Sequence, residues 1–316
     1  MIGLDDVRKA RETLRGRIVR TPLLPSEPLS ETIGAEAWLK LESLQKTGSF
    51  KVRGALNAIL SLPEAERAKG VLTISAGNHA QGVAYAARAV GVPATVVMAK
   101  GANPAKVAAT NALGAEVVFA PDIAAAFETL ERLRRERGLV VVHAFDDDRV
   151  IAGQGTVALE ILEDVPDLDL LVIPVGGGGL LAGCAVAAKA ARPEIRIAGV
   201  EPTGADKLRR AREAKRVVRL ERMDTIADGL APPFVGERNL EIALRHEDEH
   251  LLVTDDEIRS ALRFLMEKCQ VLAEPSGAAS VAALLAKKLP VKPGSKVAAV
   301  VSGGNVDPGQ FAALTT

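Results

Sequence analysis

Cysteine is nearly missing from this chain of 316 residues: only Cys184 and Cys269 occur, far apart and without metal-type spacing. That argues against a disulfide framework or a cysteine metal site and points to a reducing, cytosolic setting. Charge of one sign is not in excess either, since lysine plus arginine and aspartate plus glutamate number 40 each. A nucleic-acid binder would favour a basic surface, so that class is set aside. No uninterrupted apolar run is long enough to span a membrane. The charged start (Asp5, Asp6, Arg8, Lys9, Arg11) lacks the apolar core of a signal peptide. Low-complexity linkers and repeats are absent too. What remains is a chain that is 48% apolar, enough to bury a core, and as long as two modest domains or one large α/β domain.

Strand-like and helix-like stretches alternate from about residue 70 to the end. Val71–Ile74 reads as a strand and His79–Val90 as a helix closed by Gly91; Ala94–Met98 reads as a strand and Pro104–Leu113 as a helix stopped by Gly114. Strand Glu116–Ala120, a helix through Glu128–Arg137 and strand Val140–Ala144 follow. Beyond Asp146-Asp147-Asp148 come helix Ile151–Leu162, strand Leu170–Val175, helix Leu180–Ala191 and strand Ile197–Val200. Such alternation specifies parallel sheets wrapped by helices. Leu170–Val175 is apolar at every position, as a strand covered on both faces requires. The Asp-rich stretch 146–148 is the best boundary signal.

Four turns interrupt this pattern with reactive or glycine-rich residues. In Lys46-Thr47-Gly48-Ser49-Phe50-Lys51, a Gly-Ser start signal precedes Lys51, and Val52, Ala55, Leu56 and Ile59 then recur at helical spacing. A lysine on a first helical turn feels the positive end of the dipole and partial burial, which lower its pKa and leave a neutral amine able to attack a carbonyl. Taken alone, Lys51 also reads as an ordinary surface lysine. Ser75-Ala76-Gly77-Asn78-His79 follows a strand, and its other reading is a helix cap. Gly176-Gly177-Gly178-Gly179 ends a buried strand and opens a helix, where unpaired N–H groups and the dipole favour a phosphate. A tight strand-to-helix turn is the alternative. Ser302-Gly303-Gly304-Asn305 follows the last strand and reads equally well as a plain turn. Gly177-x-Gly179-x-x-Ala182, with Glu201 ending the next strand, also satisfies a dinucleotide fingerprint, so an NAD-dependent oxidoreductase is a rival. That rival leaves Lys51 and both Asn-Gly turns without a task.

The four motifs, in this order over nearly the whole chain, resemble pyridoxal-phosphate enzymes of fold type II, in the serine/threonine dehydratase and serine racemase group. The resemblance implies an α/β, tryptophan synthase β-like fold with two parallel-sheet domains wrapped by helices. Residues 1–69 and 147–316 would form the large cofactor domain and residues 70–146 a small inserted one. It further implies pyridoxal 5'-phosphate joined to Lys51 beside Phe50, its phosphate on Gly176, Gly177, Gly178 and Gly179, Asn78 on its 3-hydroxyl and Ser302 facing its ring nitrogen. A hydroxyl there does not hold that nitrogen protonated, which suits β-elimination better than transamination. The substrate carboxylate would lie on Ser75, Ala76, Gly77, Asn78 and His79.

Two departures refine this expectation. Racemases carry a serine acid-base group where this chain has Ala76, so dehydration is favoured over racemisation. Some members hold a divalent metal on a glutamate, a main-chain carbonyl and an acid. Glu201 is kept here, but Lys207 stands in place of the last acid, so no metal is expected. Its ammonium would pair with Glu201 or the cofactor phosphate, or lie solvated in a charged helix. The expected activity is dehydration and deamination of a β-hydroxy-α-amino acid to a 2-oxo acid and ammonia. Threonine or serine is the family default and phenylserine a bulkier option; racemase activity is the alternative. The partner is then a small amino acid, with neither nucleic acid nor membrane, in a homodimer or homotetramer. Biosynthetic threonine dehydratases carry a further regulatory region, which is not expected because the chain stops soon after Asn305.

Overall fold

A computed structural model describes residues 2–316, and within them ten strands form two sheets. β1 (Leu23–Pro25), β2 (Glu36–Leu41), β7 (Leu170–Pro174), β8 (Arg196–Pro202), β9 (Glu249–Val253) and β10 (Lys296–Val301) make a six-stranded sheet ordered β1-β2-β10-β7-β8-β9. β3 (Val71–Ile74), β4 (Ala94–Ala99), β5 (Glu116–Ala120) and β6 (Val140–Val141) make a second sheet ordered β5-β4-β3-β6. Every pair is parallel except β1 with β2. The parallel sheets expected are thus present, and the one antiparallel pair is at the rim, where the short connection through helix Glu27–Ile33 brings the chain back in the opposite direction.

Alternate residues of the central strands serve opposite faces, because strand side chains repeat every two residues. Leu171, Ile173, Ile197, Ala298 and Val300 pack into one buried cluster, while Leu170, Val172, Ala198, Val297 and Ala299 pack into another. Helices cover both faces, which is why β7 is apolar throughout. No helix among the described residues is long and apolar enough to cross a membrane.

Two boundaries differ from expectation for local reasons. The helix expected from Glu128 starts at Ile123, because Asp122 caps it by accepting the Ala125 N–H at 2.8 Å. The strand expected over Val140–Ala144 stops at Val141. Beyond it, His143 Nδ1 accepts the N–H groups of Phe145 and Asp146 at 3.3 and 2.8 Å, curling the chain into a loop.

Strand order decides what meets what. β10, near the C-terminus, inserts between β2 and β7. The turn after β10 therefore lies beside the segment leading from β2 to Lys51 on one side and the tetraglycine turn after β7 on the other. All three leave the carboxyl ends of parallel strands, where α/β sheets bind ligands.

Candidate active site

Lys51 opens helix Lys51–Leu60 from the inner side of a cavity of about 1200 Å³ whose walls come from both sheets. The chain before it is laced to the strand-end turn at Ser302. Phe50 N–H donates to the Ser302 carbonyl at 3.2 Å, Gly304 N–H to that of Gly48 at 2.9 Å, and Asn305 Nδ2 to that of Thr47 at 2.7 Å. Gly48 has φ +68°, and a Cβ there would overlap the Asn305 side chain. Ser49 is not the helix cap that the Gly-Ser signal suggested: Phe50 holds that position, and the Ser49 hydroxyl is buried without a partner. The Lys51 amine donates to the Ala144 carbonyl at 2.9 Å and sits 5.2 Å from the centre of the Phe50 ring. Burial lowers its pKa from the ordinary 10.5 to about 8, against the opposing pull of Glu274.

Gly176–Gly179 line the same cavity. Gly178 takes φ +91°, and helix Gly179–Ala191 begins immediately after it. Among the described residues, the four glycine N–H groups have no acceptor. A side chain at Gly177 would fall within the Phe145 ring, and one at Gly178 would meet Asn239 Cβ at 2.8 Å. Asn239 Nδ2 clamps the loop from behind, donating to the Gly177 and Phe145 carbonyls at 2.7 and 3.0 Å. A loop of free amides at a helix start, closely packed by its neighbours, has the features that favour an anion such as phosphate.

The turn after β3 forms a second loop of this kind. Ser75 N–H is used by the Val97 carbonyl and Gly77 N–H by the Ser75 hydroxyl, whereas those of Ala76, Asn78 and His79 have no acceptor among the described residues. Helix Asn78–Ala89 starts here without a side-chain cap, so the capping role considered for Asn78 does not hold. Its side chain crosses the cavity instead, donating to Glu274 Oε1 at 2.6 Å and accepting from Asn305 Nδ2 at 2.9 Å. His79 donates from Nε2 to the Val142 carbonyl at 3.1 Å, and burial lowers its pKa to about 3, so it is neutral and braces the turn. Ser302 Oγ lies in the cavity wall, 3.4 Å from the Ser276 carbonyl, and the Ser276 hydroxyl is buried and unpartnered.

Lys207 is placed differently. Its side chain is fully buried and absent from the cavity wall, which corrects both its placement on the cofactor phosphate and the solvated reading. The ammonium donates to Glu201 Oε1 at 2.8 Å and to the carbonyls of Leu230, Ala205 and Val175 at 2.9, 3.0 and 3.4 Å. Glu201 also accepts the first free N–H groups of helix Lys207–Ala214 and contacts His250, so helix start and ammonium are drawn together beneath Val175. This argues against the dinucleotide reading, because the acid meant for a ribose is committed to a buried cation and is absent from the wall of this cavity.

Glu274, Ser276, Phe145 and Asn239 were not anticipated. Glu274-Pro275-Ser276 at the start of the apolar helix Pro275–Leu285 was a usable signal for the first two, since polar residues at an apolar helix start need partners. Phe145 and Asn239 carry none, as each acts on the glycine loop from distant sequence.

The chain shares 47% identity over 308 residues with the L-threonine ammonia-lyase of Thermotoga maritima, covering 97% of this chain and 76% of that protein. It is 41% identical to the L-threo-3-hydroxyaspartate ammonia-lyase of a Pseudomonas species, covering 98% and 97%. Its structure superposes on maize serine racemase with a TM-score of 0.95 at 37% identity, covering 98% and 96%. Pyridoxal phosphate suits the donor set: an amine of lowered pKa for the aldehyde, free amides for the phosphate and an unpartnered serine hydroxyl near Ser302. Matched by the family model from residue 14 to residue 303, the chain belongs to the pyridoxal-phosphate dependent enzymes.

Proposed function

We infer that this enzyme is an ammonia-lyase that dehydrates and deaminates a β-hydroxy-α-amino acid to a 2-oxo acid and ammonia. One observation carries the reading: a weakly basic lysine amine shares a cavity with two separate rows of unpaired amides. One row suits the cofactor phosphate and the other a substrate carboxylate. When bound, pyridoxal phosphate supplies an electron sink at the substrate α-carbon. The amides of Ala76, Asn78 and His79 would orient the carboxylate, and Asn78 would hold the 3-hydroxyl side of the ring. With the substrate amine on the cofactor, the Lys51 amine would be free to take the α-proton. Ser302 would offer the ring nitrogen a hydroxyl, which would not fix a proton there. We take residues 70–146 as a small domain that closes against residues 1–69 and 147–316 and keeps water from the carbanionic step.

The chemistry is one-sided. Ala76 has no exchangeable proton, and neutral His79 directs its Nε2–H at Val142 rather than at a substrate. Serine, threonine, 3-hydroxyaspartate and phenylserine should each be assayed for ammonia release and for the configuration of unreacted substrate. Ammonia should appear while the remaining substrate keeps its configuration, and Ala76→Ser should introduce racemisation. Substantial racemisation by the unaltered enzyme would show that another group serves the opposite face. The cavity wall also includes Ile123, Phe127 and Phe234, apolar side chains that suit a bulkier β-substituent such as an aryl group.

Lys207 supplies internally the positive charge that a bound cation would supply to Glu201 and the carbonyls around it. It also braces the strand end next to the tetraglycine loop through Val175. Chelator treatment should therefore leave activity unchanged. Activity lost with chelator and restored by magnesium, manganese or calcium would refute this role. Lys207→Met should lower stability by less than the roughly 3–5 kcal/mol of a fully broken buried pair, because Glu201 keeps His250, whose pKa is raised to about 9, at 2.9 Å.

Two unpaired cysteines fit a cytoplasmic enzyme. Exposed Leu24, Leu44 and Leu272 are apolar surface that a second copy in a homodimer or homotetramer would cover, and light scattering reads that assembly directly.

A further inference from the structure

Glu274 lines the catalytic cavity and has no task in the account above. It is 3% exposed, and its backbone is fixed: its N–H donates to the Gly303 carbonyl at 3.0 Å, and its carbonyl accepts from Gly277 and Ala278 at 2.8 and 3.1 Å. Although it stands at the cap position of helix Pro275–Leu285, its side chain makes no cap bond and turns into the cavity. Oε1 accepts from Asn78 Nδ2 at 2.6 Å; Oε2 has no hydrogen bond and no cation within ion-pair distance among the described residues. The charged groups facing it are Lys51, Asp228 and Lys106, and Lys106 is already paired with Asp228. Burial, and then the Asp228 charge, push its pKa up to about 8. That direction favours the carboxylic acid over the carboxylate, and with Oε1 accepting from Asn78 the free oxygen Oε2 is the one placed to carry the proton.

Loss of a β-hydroxyl needs such a group, because hydroxide is a poor leaving group and water a good one. Resting on the ammonia-lyase reading of this same site, we propose that Glu274 is the acid that protonates the departing β-hydroxyl. Lys51 takes the α-proton, and the Cα–H electron pair becomes the Cα–Cβ double bond as the Cβ–O bond breaks. The oxygen leaves as water with the Oε2 proton. Glu274 is then a carboxylate and Lys51 an ammonium in the same cavity. A proton passing from the second to the first restores both without an external donor.

A substrate whose leaving group needs no proton separates this role from mere positioning. Glu274→Gln keeps the side-chain shape and the bond from Asn78 but carries no acidic proton. Its kcat with serine or threonine should fall by roughly 10²–10⁴-fold, the range for a positioned general acid. Its turnover of β-chloroalanine, which loses chloride, should change little. Equal losses on both substrates would mean that Glu274 only positions Asn78, and no loss on either would remove it from the reaction; both results overturn the proposal. Ammonia from neither substrate with the unaltered enzyme would instead overturn the reaction class. Infrared difference spectra of the two holoenzymes at neutral pH give a readout independent of turnover. A protonated-carboxyl band present only in the unaltered enzyme is expected, and its absence would also overturn the proposal.

Discussion

Replacing Lys51 with alanine should abolish turnover, with kcat falling by at least about 10⁴-fold, the upper end of what one positioned base contributes. The loss is that large because, in the function proposed above, the same amine would hold the cofactor and then serve as the base. Borohydride should fix the cofactor on Lys51 in the native protein, and peptide mapping that places the adduct on any other lysine would remove this residue from the mechanism. The pH dependence has a definite sign. Burial lowers the amine pKa to about 8, so in the cofactor-free protein the uncharged, nucleophilic form grows as pH rises through about 8 rather than through 10.5. Cofactor recapture by the apoprotein should therefore speed up across that lower window. A rate still climbing only above pH 10 would show that the amine is solvated.

The second large effect is expected two residues further on. Arg53 is fully buried and forks between two carboxylates: Glu42 at 2.8 Å from both Nε and one terminal nitrogen, and Glu160 at 2.6 and 2.8 Å from the two terminal nitrogens. Lys40 adds a second buried cation on Glu160 at 2.6 Å and donates to the Thr21 carbonyl. Two cations thus balance two anions where β2, helix Lys51–Leu60 and helix Asp148–Asp164 meet. Arg53→Met preserves bulk but leaves the second carboxylate without its cation, and should cost about 3–5 kcal/mol, the range for breaking a buried pair. Urea denaturation would register this as a lower midpoint. A loss below about 1 kcal/mol, the scale of an exposed pair, would mean that water reaches the network. Arg53→Lys should recover only part of the loss, since one ammonium cannot reproduce a fork that meets two carboxylates.

Arg53 also illustrates where reading residues in order stops. In the sequence it looks like a charged position on an amphipathic helix, and nothing local says that Glu42 and Glu160 will enclose it. Lys207 shows the same limit. Its replacement of a metal-type acid was visible from the residues around Glu201, but whether the ammonium faced phosphate or carboxylate was not. That choice turned on the Val175 and Leu230 carbonyls, which approach from other parts of the chain.

Local chemistry was enough for the framework. Glycine placement, helix and strand periodicity and the apolar run of β7 depend on neighbouring residues, so they specify an α/β chain with reactive turns after its strands. The lysine and the tetraglycine loop lie within single turns and were legible there, whereas a carboxylate role for Ser75–His79 came only from the family resemblance. Strand order is not local. It follows from which buried faces pack together, and it brings the final strand between β2 and β7 and so sets Ser302 and Asn305 against the segment Thr47–Phe50 that leads into Lys51. The protonation of Glu274 likewise depends on burial and on charges supplied by Lys51, Asp228 and Lys106, three segments that only packing brings to one cavity.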